Sequence, residues 1–441
     1  MVGPRVDPLL HAGALPKDCD VVVIGGGIIG ASTALTLAER GVSVALCEKG
    51  QVGAEQSSRN WGWCRKMGRD PAEIPLAIES LRLWERINAR TGAETGFRQT
   101  GILYLCDRAR DVEKHEAWLA AARDFQVDSR VIASREIDHL LPGSARRWAG
   151  ALYTPSDGVA EPEQATTAIA NAALRQGAAI IERCAVRGIE TEAGAISGVV
   201  TERGRVRCSR VVLAGGAWSS LFCGNLGIRF PQLKILGSVM RTAPFTGPGP
   251  AVGADRFAFR KRADGGYTLA QRNANLAHIV PDSFRFFADF LPSLVKQWHE
   301  LRLRVGRRFI EEWQVPRRWQ LDGETPFEQV RVLDPQPSRQ VLRQGFRNLT
   351  RAFPQFAAAK VIDSWAGLID VTPDAVPVIS AVDSLPGFYI ASGFSGHGFG
   401  IGPAAGHLMA DLVMGETPIV DPRPYRFERL GSTAGSARNV V

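Results

Sequence analysis

Cysteine is sparse and unpatterned in this 441-residue chain: the seven present are scattered, odd in number, and never spaced as C-x-x-C. That argues against a disulfide framework and a zinc-binding spacing, and for free thiols in a reducing compartment. No apolar run approaches the roughly 18 residues that a bilayer-spanning helix needs. Residues 1–17 lack a charged segment followed by an apolar one, so no signal peptide is expected and they read as a flexible arm. No extended block of Lys and Arg occurs despite a formal net charge of +8, so no nucleic-acid partner is expected. Repeats, low-complexity tracts and metal-ligand spacings are also missing, and no metal is expected. What remains is an ordinary globular composition, 45% hydrophobic and 22% charged, long enough for two domains.

The stretch from Cys19 to Lys49 organises the rest. Asp20 to Ile24 is a short β-branched apolar run, the pattern of a buried parallel strand. Gly25, Gly27 and Gly30 follow at G-x-G-x-x-G spacing, with Ile28 and Ile29 between them. The first glycine allows a tight turn, the second a close approach to a pyrophosphate, and the third close packing of a helix on the sheet. A second apolar strand ends beside Glu48 and Lys49, and an acid at that distance is what a dinucleotide's ribose hydroxyls require. Gln56, Ser57, Ser58, Arg59 and Asn60 come next, at the carboxyl edge of the expected sheet, with side chains suited to phosphate or sugar oxygens.

After this unit the βαβ alternation stops. A helix from Pro71, a strand around Gln99, Thr100 and Gly101, and an amphipathic helix over 111–125 suggest an excursion into a second domain. Glu161-Pro162-Glu163 opens another helix, acidic at its start. Two β segments centred on 184–191 and 195–202 follow. Val211 to Leu213 then runs into Gly215, Gly216 and Trp218, so the first domain resumes. Phe257 to Lys261 and Tyr267 to Leu269 flank Asp264-Gly265-Gly266, a hairpin signal. Arg260 ends the first of these strands. A strand-borne Arg in a cleft can clamp a carboxylate with two parallel hydrogen bonds; a surface Arg is the alternative.

Residues 282–313 look helical, mixing Phe284, Phe287, Phe290 and Trp298 with Arg285, Lys296, Arg304 and Arg307. Such a segment either lies on anionic lipid or packs on the core with a solvated face. Near the end, the strand Phe388 to Ala391 runs into a second glycine-rich loop, Gly393, Phe394, Gly396, His397, Gly398, Phe399 and Gly400, and then a helix. Strand, glycine loop and helix again make an anion-binding arrangement, one that suits the N1/C2=O edge of a reduced flavin. His397 is either a base or a shape-holding residue in that loop.

The glycine pattern with Glu48, Gly216-Ala-Trp-Ser219, Trp365-x-Gly367 with Thr372-Pro-Asp374, and Gly396-His-Gly-x-Gly-x-Gly402-Pro403 together resemble the D-amino acid oxidase superfamily. Gly53-Ala-Glu-Gln-Ser-Ser-Arg59 and the 184–202 stretch look most like the bacterial L-amino acid deaminases of Proteus type. The chain differs from these in lacking a hydrophobic N-terminal anchor and in carrying Asp370 between Ile369 and Val371.

The resemblance implies an α/β fold: a Rossmann-like FAD-binding domain (18–95, 151–232 and 355–425) interleaved with an α+β substrate domain on a mixed or antiparallel sheet (96–150 and 233–354). A helical insert is implied at 273–314 and a flexible tail at 426–441. It implies non-covalent FAD, with Val186 joining the cofactor contacts. Arg260, with Tyr267, would fix a substrate carboxylate, and Gln99, Thr100, Gln271 and Phe394 would line the pocket. Asp370 would favour a cationic side chain.

The implied activity is oxidative deamination of an L-α-amino acid, with a basic one such as L-arginine as the candidate substrate. Oxygen or a membrane quinone would be the electron acceptor. The location would be cytoplasmic, with peripheral membrane contact through 273–314 and oligomerisation open. The competing readings are a sarcosine-, proline- or opine-type amine dehydrogenase, a D-amino acid dehydrogenase, and a flavoprotein acting on tRNA.

Overall fold

The computed structural model describes residues 3–11, 13–273, 275–297 and 301–431. Trp298, the side chain of Lys296 and the tail beyond residue 431 lie outside the described residues. The strand Val21–Ile24 is buried throughout and sits at the centre of a six-stranded sheet. It pairs in parallel with Arg210–Leu213 on one side and Val44–Cys47 on the other. Ala179–Ile181 extends one edge, and Phe388–Ser392 with Val378–Ala381 the other; only that last pair is antiparallel. A strand buried on both faces has no reason to alternate polar and apolar residues, and Val21–Ile24 is apolar throughout.

Helices Ile28–Glu39, Pro162–Arg175 and Gly398–Met414 share one apolar cluster with this sheet. The first and last approach so closely that a Cβ on Gly406 would overlap Ser32. A Cβ on Gly30 would likewise overlap the Gly25 carbonyl, and Gly25 itself turns with φ +107°. The expected tight turn and close helix packing are therefore both present.

The second sheet is mixed and ten-stranded. Its centre is Leu233–Thr242, which pairs antiparallel with Tyr267–Ala270 and, along its whole length, with Val361–Val371. The predicted hairpin is there, with Arg260 opposite Thr268. Two domain limits move. Val361–Val371 falls in the segment expected to bind FAD, yet it joins the large sheet. Gly150–Thr154 pairs with Ile102–Cys106 in the same sheet. Apolar periodicity identifies a strand but not which of two sheets will take it.

The N-terminal arm is not loose where it is described. Asp7 N–H donates to the Glu163 carbonyl (3.1 Å) and Gly13 N–H to that of Ile180 (3.0 Å). In the expected tail, the Phe427 ring lies tilted against Phe230, with centroids 6.2 Å apart, and Leu430 is buried. The segment 273–314 is only partly helical. Strands Asn275–His278 and Leu301–Arg304 pair in parallel at the edge of the large sheet, flanked by helices Pro281–Arg285, Phe287–Gln297 and Arg307–Trp313. Alternating Leu and Arg at 301–304 is a strand signal that the basic and aromatic content had obscured.

Candidate active site

A narrow cavity of about 120 Å³ runs along the carboxyl edge of the six-stranded sheet, lined by Gly25, Gly27, Glu48, Gln56, Ser57 and Trp218 among others. Glu48 is held for contact here: its carboxylate accepts from Gly26 N–H and Gly50 N–H, both at 2.7 Å. Burial raises the Glu48 pKa. Ser57 Oγ accepts from Ile28 N–H (2.9 Å) and sits over Gly27, where a Cβ would come within 3.1 Å of it. Gln56 Oε1 is buried without a partner among the described residues. An orphaned acceptor beside a glycine turn and a poised carboxylate fits the polar groups of an FAD. Val186, Gly215 and Gly216 complete the same wall.

Other expected cofactor contacts do different work. Ile28 and Ile29 pack in the core, and Gly30 serves helix packing. Lys49 does line the cavity, where it pairs with Glu55 (2.7 Å), donates to the Val330 and Arg331 carbonyls, and lies 4.5 Å over the Trp218 ring. Ser58 is fully buried and donates to the Glu55 carbonyl. Arg59 pairs with Asp334 and donates to the Ala54 and Ala366 carbonyls, tying this segment to the large sheet. Asn60 bonds the Gln56 and Ser57 carbonyls and caps Gly62 N–H. Phe399 packs on Trp84 with ring centroids 5.4 Å apart, and the Gly400 carbonyl accepts from Ser80 and Trp84. Gly393, Gly396 and Gly398 shape the loop.

A second cavity, about 690 Å³ and strongly charged, is distinct from the first and shares no lining residue with it. Arg65, Tyr104, His115, Arg272 and His397 line it. Tyr104 projects from the large sheet, with the Arg272 guanidinium 3.9 Å and the Arg65 guanidinium 5.4 Å from its ring centre. Glycine makes room at both edges of the ring. A Cβ on Gly253 would lie 3.0 Å from Tyr104 Cδ1 and 3.1 Å from Arg272 Nη1, and one on Gly68 would lie 3.3 Å from Cε2. Arg65 donates to the Met67 carbonyl, and Asp157 accepts from Lys66 N–H at 2.8 Å, which pins that turn.

Burial and then Arg272 push the His115 pKa down to about 4, so this imidazole is neutral at neutral pH. Burial and then Arg69 also lower that of His397. Its Nδ1 lies 2.9 Å from the Glu73 carboxylate, an arrangement in which a neutral ring donates from Nδ1.

None of the residues assigned to substrate lines this chamber. Arg260 is 1% exposed and all its nitrogens are engaged: Nη1 and Nη2 with Glu161 at 2.9 and 3.0 Å, and Nε with the Trp61 carbonyl. The acid that takes it is the one that opens the Pro162 helix, a pairing across about a hundred residues that spacing cannot announce. Tyr267 is a core residue packed among Phe245, Phe259 and Phe356, its hydroxyl donating to the Pro248 carbonyl (2.7 Å).

Asp370 turns toward the loop rather than toward open space. Its Oδ2 accepts from Gly393 N–H (2.8 Å), and burial raises its pKa to about 6. Gln99 donates to Pro155, Thr100 to Gly101, and Gln271 bonds Arg272 and Asn348; Phe394 is buried in the core. Arg272, the neighbour of Gln271, and Arg65, neither of which the sequence singled out, do line the chamber. Strand alternation beyond Ala270 is the signal that puts Arg272 on the same sheet face as Arg260.

The family model for DAO, FAD dependent oxidoreductases, matches residues 20–412. The chain belongs to this family. The superfamily resemblance and the FAD-dependent oxidoreductase fold are thereby borne out. Among solved structures, the L-amino acid deaminase of Proteus myxofaciens, in complex with anthranilate, is 34% identical. It superposes with a TM-score of 0.92, covering 97% of this chain and 96% of that one. The L-amino acid deaminase of Proteus vulgaris is also 34% identical, with a TM-score of 0.91 over 97% of this chain and 100% of that one. The glycine oxidase of Pseudomonas putida is 28% identical over 434 residues, 93% of this chain and 99% of its own.

Proposed function

We propose that this family member oxidises the α-carbon–nitrogen bond of an L-amino acid, giving a 2-oxo acid and ammonia after hydrolysis, with the substrate carboxylate held by Arg272. The observation that carries the reading is a half-buried guanidinium stacked on Tyr104 in a large chamber, with no carboxylate partner among the described residues. Stacking fixes the plane of the fork and leaves its N–H edge for a carboxylate. The names of the Proteus relatives agree with a primary L-amino acid.

FAD, when bound, supplies the two-electron acceptor. The chain's own contribution is positioning and exclusion of water. Arg272 orients the carboxylate, Tyr104 keeps Arg272 rigid, and Glu73 fixes the His397 ring in the chamber wall. Neutral His115 adds no competing charge beside Arg272. The cofactor is held without a covalent bond. Cys47, the cysteine of the cradle wall, is a free thiol that shares a hydrogen bond with Cys184 and is buried, both of which raise its pKa and keep it a poor nucleophile. Asp370, on which the expectation of a basic substrate rested, gives that expectation no support from its place against Gly393.

Anaerobic titration of the yellow protein with L-amino acids tests the reading: substrate-dependent bleaching is expected. Arg272→Met should lower kcat/KM by about 10- to 150-fold, the loss of a charged hydrogen-bonded contact of roughly 1.5–3 kcal/mol, mainly through KM. Unchanged kinetics would remove Arg272 from the site. The segment 273–314 is further proposed to touch a membrane surface peripherally.

A further inference from the structure

The chamber wall carries a surplus of positive charge. Eight arginines and lysines line it against six aspartates and glutamates. The acids are already engaged. Glu73 meets His397, Asp107 meets Arg146 at 2.6 Å, and Asp374 meets Arg429 at 2.8 Å. Asp255 and Asp111 lie near Arg256 and Arg110, and Asp70 accepts from Ala72 N–H. Arg65 and Arg272 are different: both are half-buried, both lean on Tyr104, and neither has a carboxylate partner among the described residues. Lys114, Arg108 and Arg351, exposed at the rim, have none either among the described residues.

Two guanidiniums held near one aromatic ring repel each other until an anion sits between or beside them. A single α-carboxylate satisfies one. A free amino acid with a neutral side chain would leave the other without a paired carboxylate, and one with a cationic side chain would add to the repulsion.

We propose that the substrate carries two carboxylates, the α-carboxylate on Arg272 and the second on Arg65, with Lys114 adding attraction at the rim. The substrate class is then a dicarboxylic amino acid or an N-carboxyalkyl amine. This rests on the amine-oxidising reading above and narrows it.

Isosteric pairs give the test. The holoenzyme is assayed with L-glutamate against L-glutamine and L-aspartate against L-asparagine, with L-leucine, L-arginine and iminodiacetate alongside. Each acid should exceed its amide in kcat/KM by at least tenfold, and raised salt should shrink that ratio. In Arg65→Met the ratio should fall about tenfold. Arg65→Lys, which keeps the charge and loses the fork, should restore part of it and stands in if the Met variant does not retain flavin. Oxidation of iminodiacetate alone would keep the two-carboxylate class while discarding the primary amino acid. Amides as good as acids, or L-arginine preferred, would overturn the proposal and leave amine oxidation intact. No bleaching by any of these compounds would sink both readings together.

Discussion

Arg260 and Glu161 share a contact in which both side chains are almost wholly buried, 1% and 3% exposed. Burial works to raise the Glu161 pKa, but the charge and hydrogen bonds of Arg260, followed by Arg262, outweigh it and hold the value at about 2. The Ala263 N–H donates to the same carboxylate at 2.7 Å. Breaking a buried pair from one side strands the other charge. Glu161→Gln should therefore destabilise the fold by about 3–5 kcal/mol, measured as the urea midpoint at constant slope. Replacing both partners, with Arg260→Met and Glu161→Met together, should recover part of that loss. A Glu161→Gln variant as stable as the parent would return Arg260 to the list of ligand-binding groups. At this scale the sequence is least explicit. The type and position of Arg260 were readable, but its partner lies on a different element, and only the folded chain decides whether a guanidinium meets a ligand or an internal acid.

Elements were far more legible than their partners. The glycine spacing, Glu48 and the two strand–glycine–helix units each follow from local stereochemistry, so they could be read before any fold was known. What could not be read was sheet membership, as Val361–Val371 demonstrates. The composition of the outer module was also legible while its architecture was not. Its helices carry Phe284, Phe287, Val295, Ile310 and Trp313 at 53–70% exposure, beside the well-exposed Arg307. Exposed aromatics flanked by Arg suit an anionic lipid surface, although no helix among the described residues is long and apolar enough to cross a membrane. In flotation assays the protein should associate with vesicles of anionic lipid and less with neutral ones. Phe284→Ser with Trp313→Ser should lower binding several-fold without changing the flavin spectrum. Equal recovery with and without vesicles would leave the patch for a protein partner.

The molecule as a whole buries titratable groups beside its two largest sheets, and two of them make its stability respond to pH in opposite senses. Asp157 is buried where its carboxylate accepts from Lys66 and Met67 N–H, and burial lifts its pKa from 3.8 to about 7. A folded value above the unfolded one means that its stabilising contribution is complete below 3.8 and is lost as pH rises toward 7. His115 is the reverse: burial and Arg272 move it from 6.5 to about 4. The unfolded chain binds the extra proton between those values, so its contribution grows as pH rises through that window. Each group alone gives a slope of about 1.4 kcal/mol per pH unit. Across roughly pH 4 to 6.5 the two slopes offset each other. Unfolding free energies of the parent, Asp157→Asn and His115→Gln, followed over this range, should separate them. Relative to the parent, Asp157→Asn should gain stability with rising pH up to about 7 and then level off, whereas His115→Gln should lose ground until about 6.5. Parallel curves for all three proteins would mean that neither group titrates differently in the folded and unfolded chains. Asp157 also pins the turn that presents Arg65, so the same variant should show whether that turn, and with it the Glu/Gln ratio, depends on the buried carboxylate.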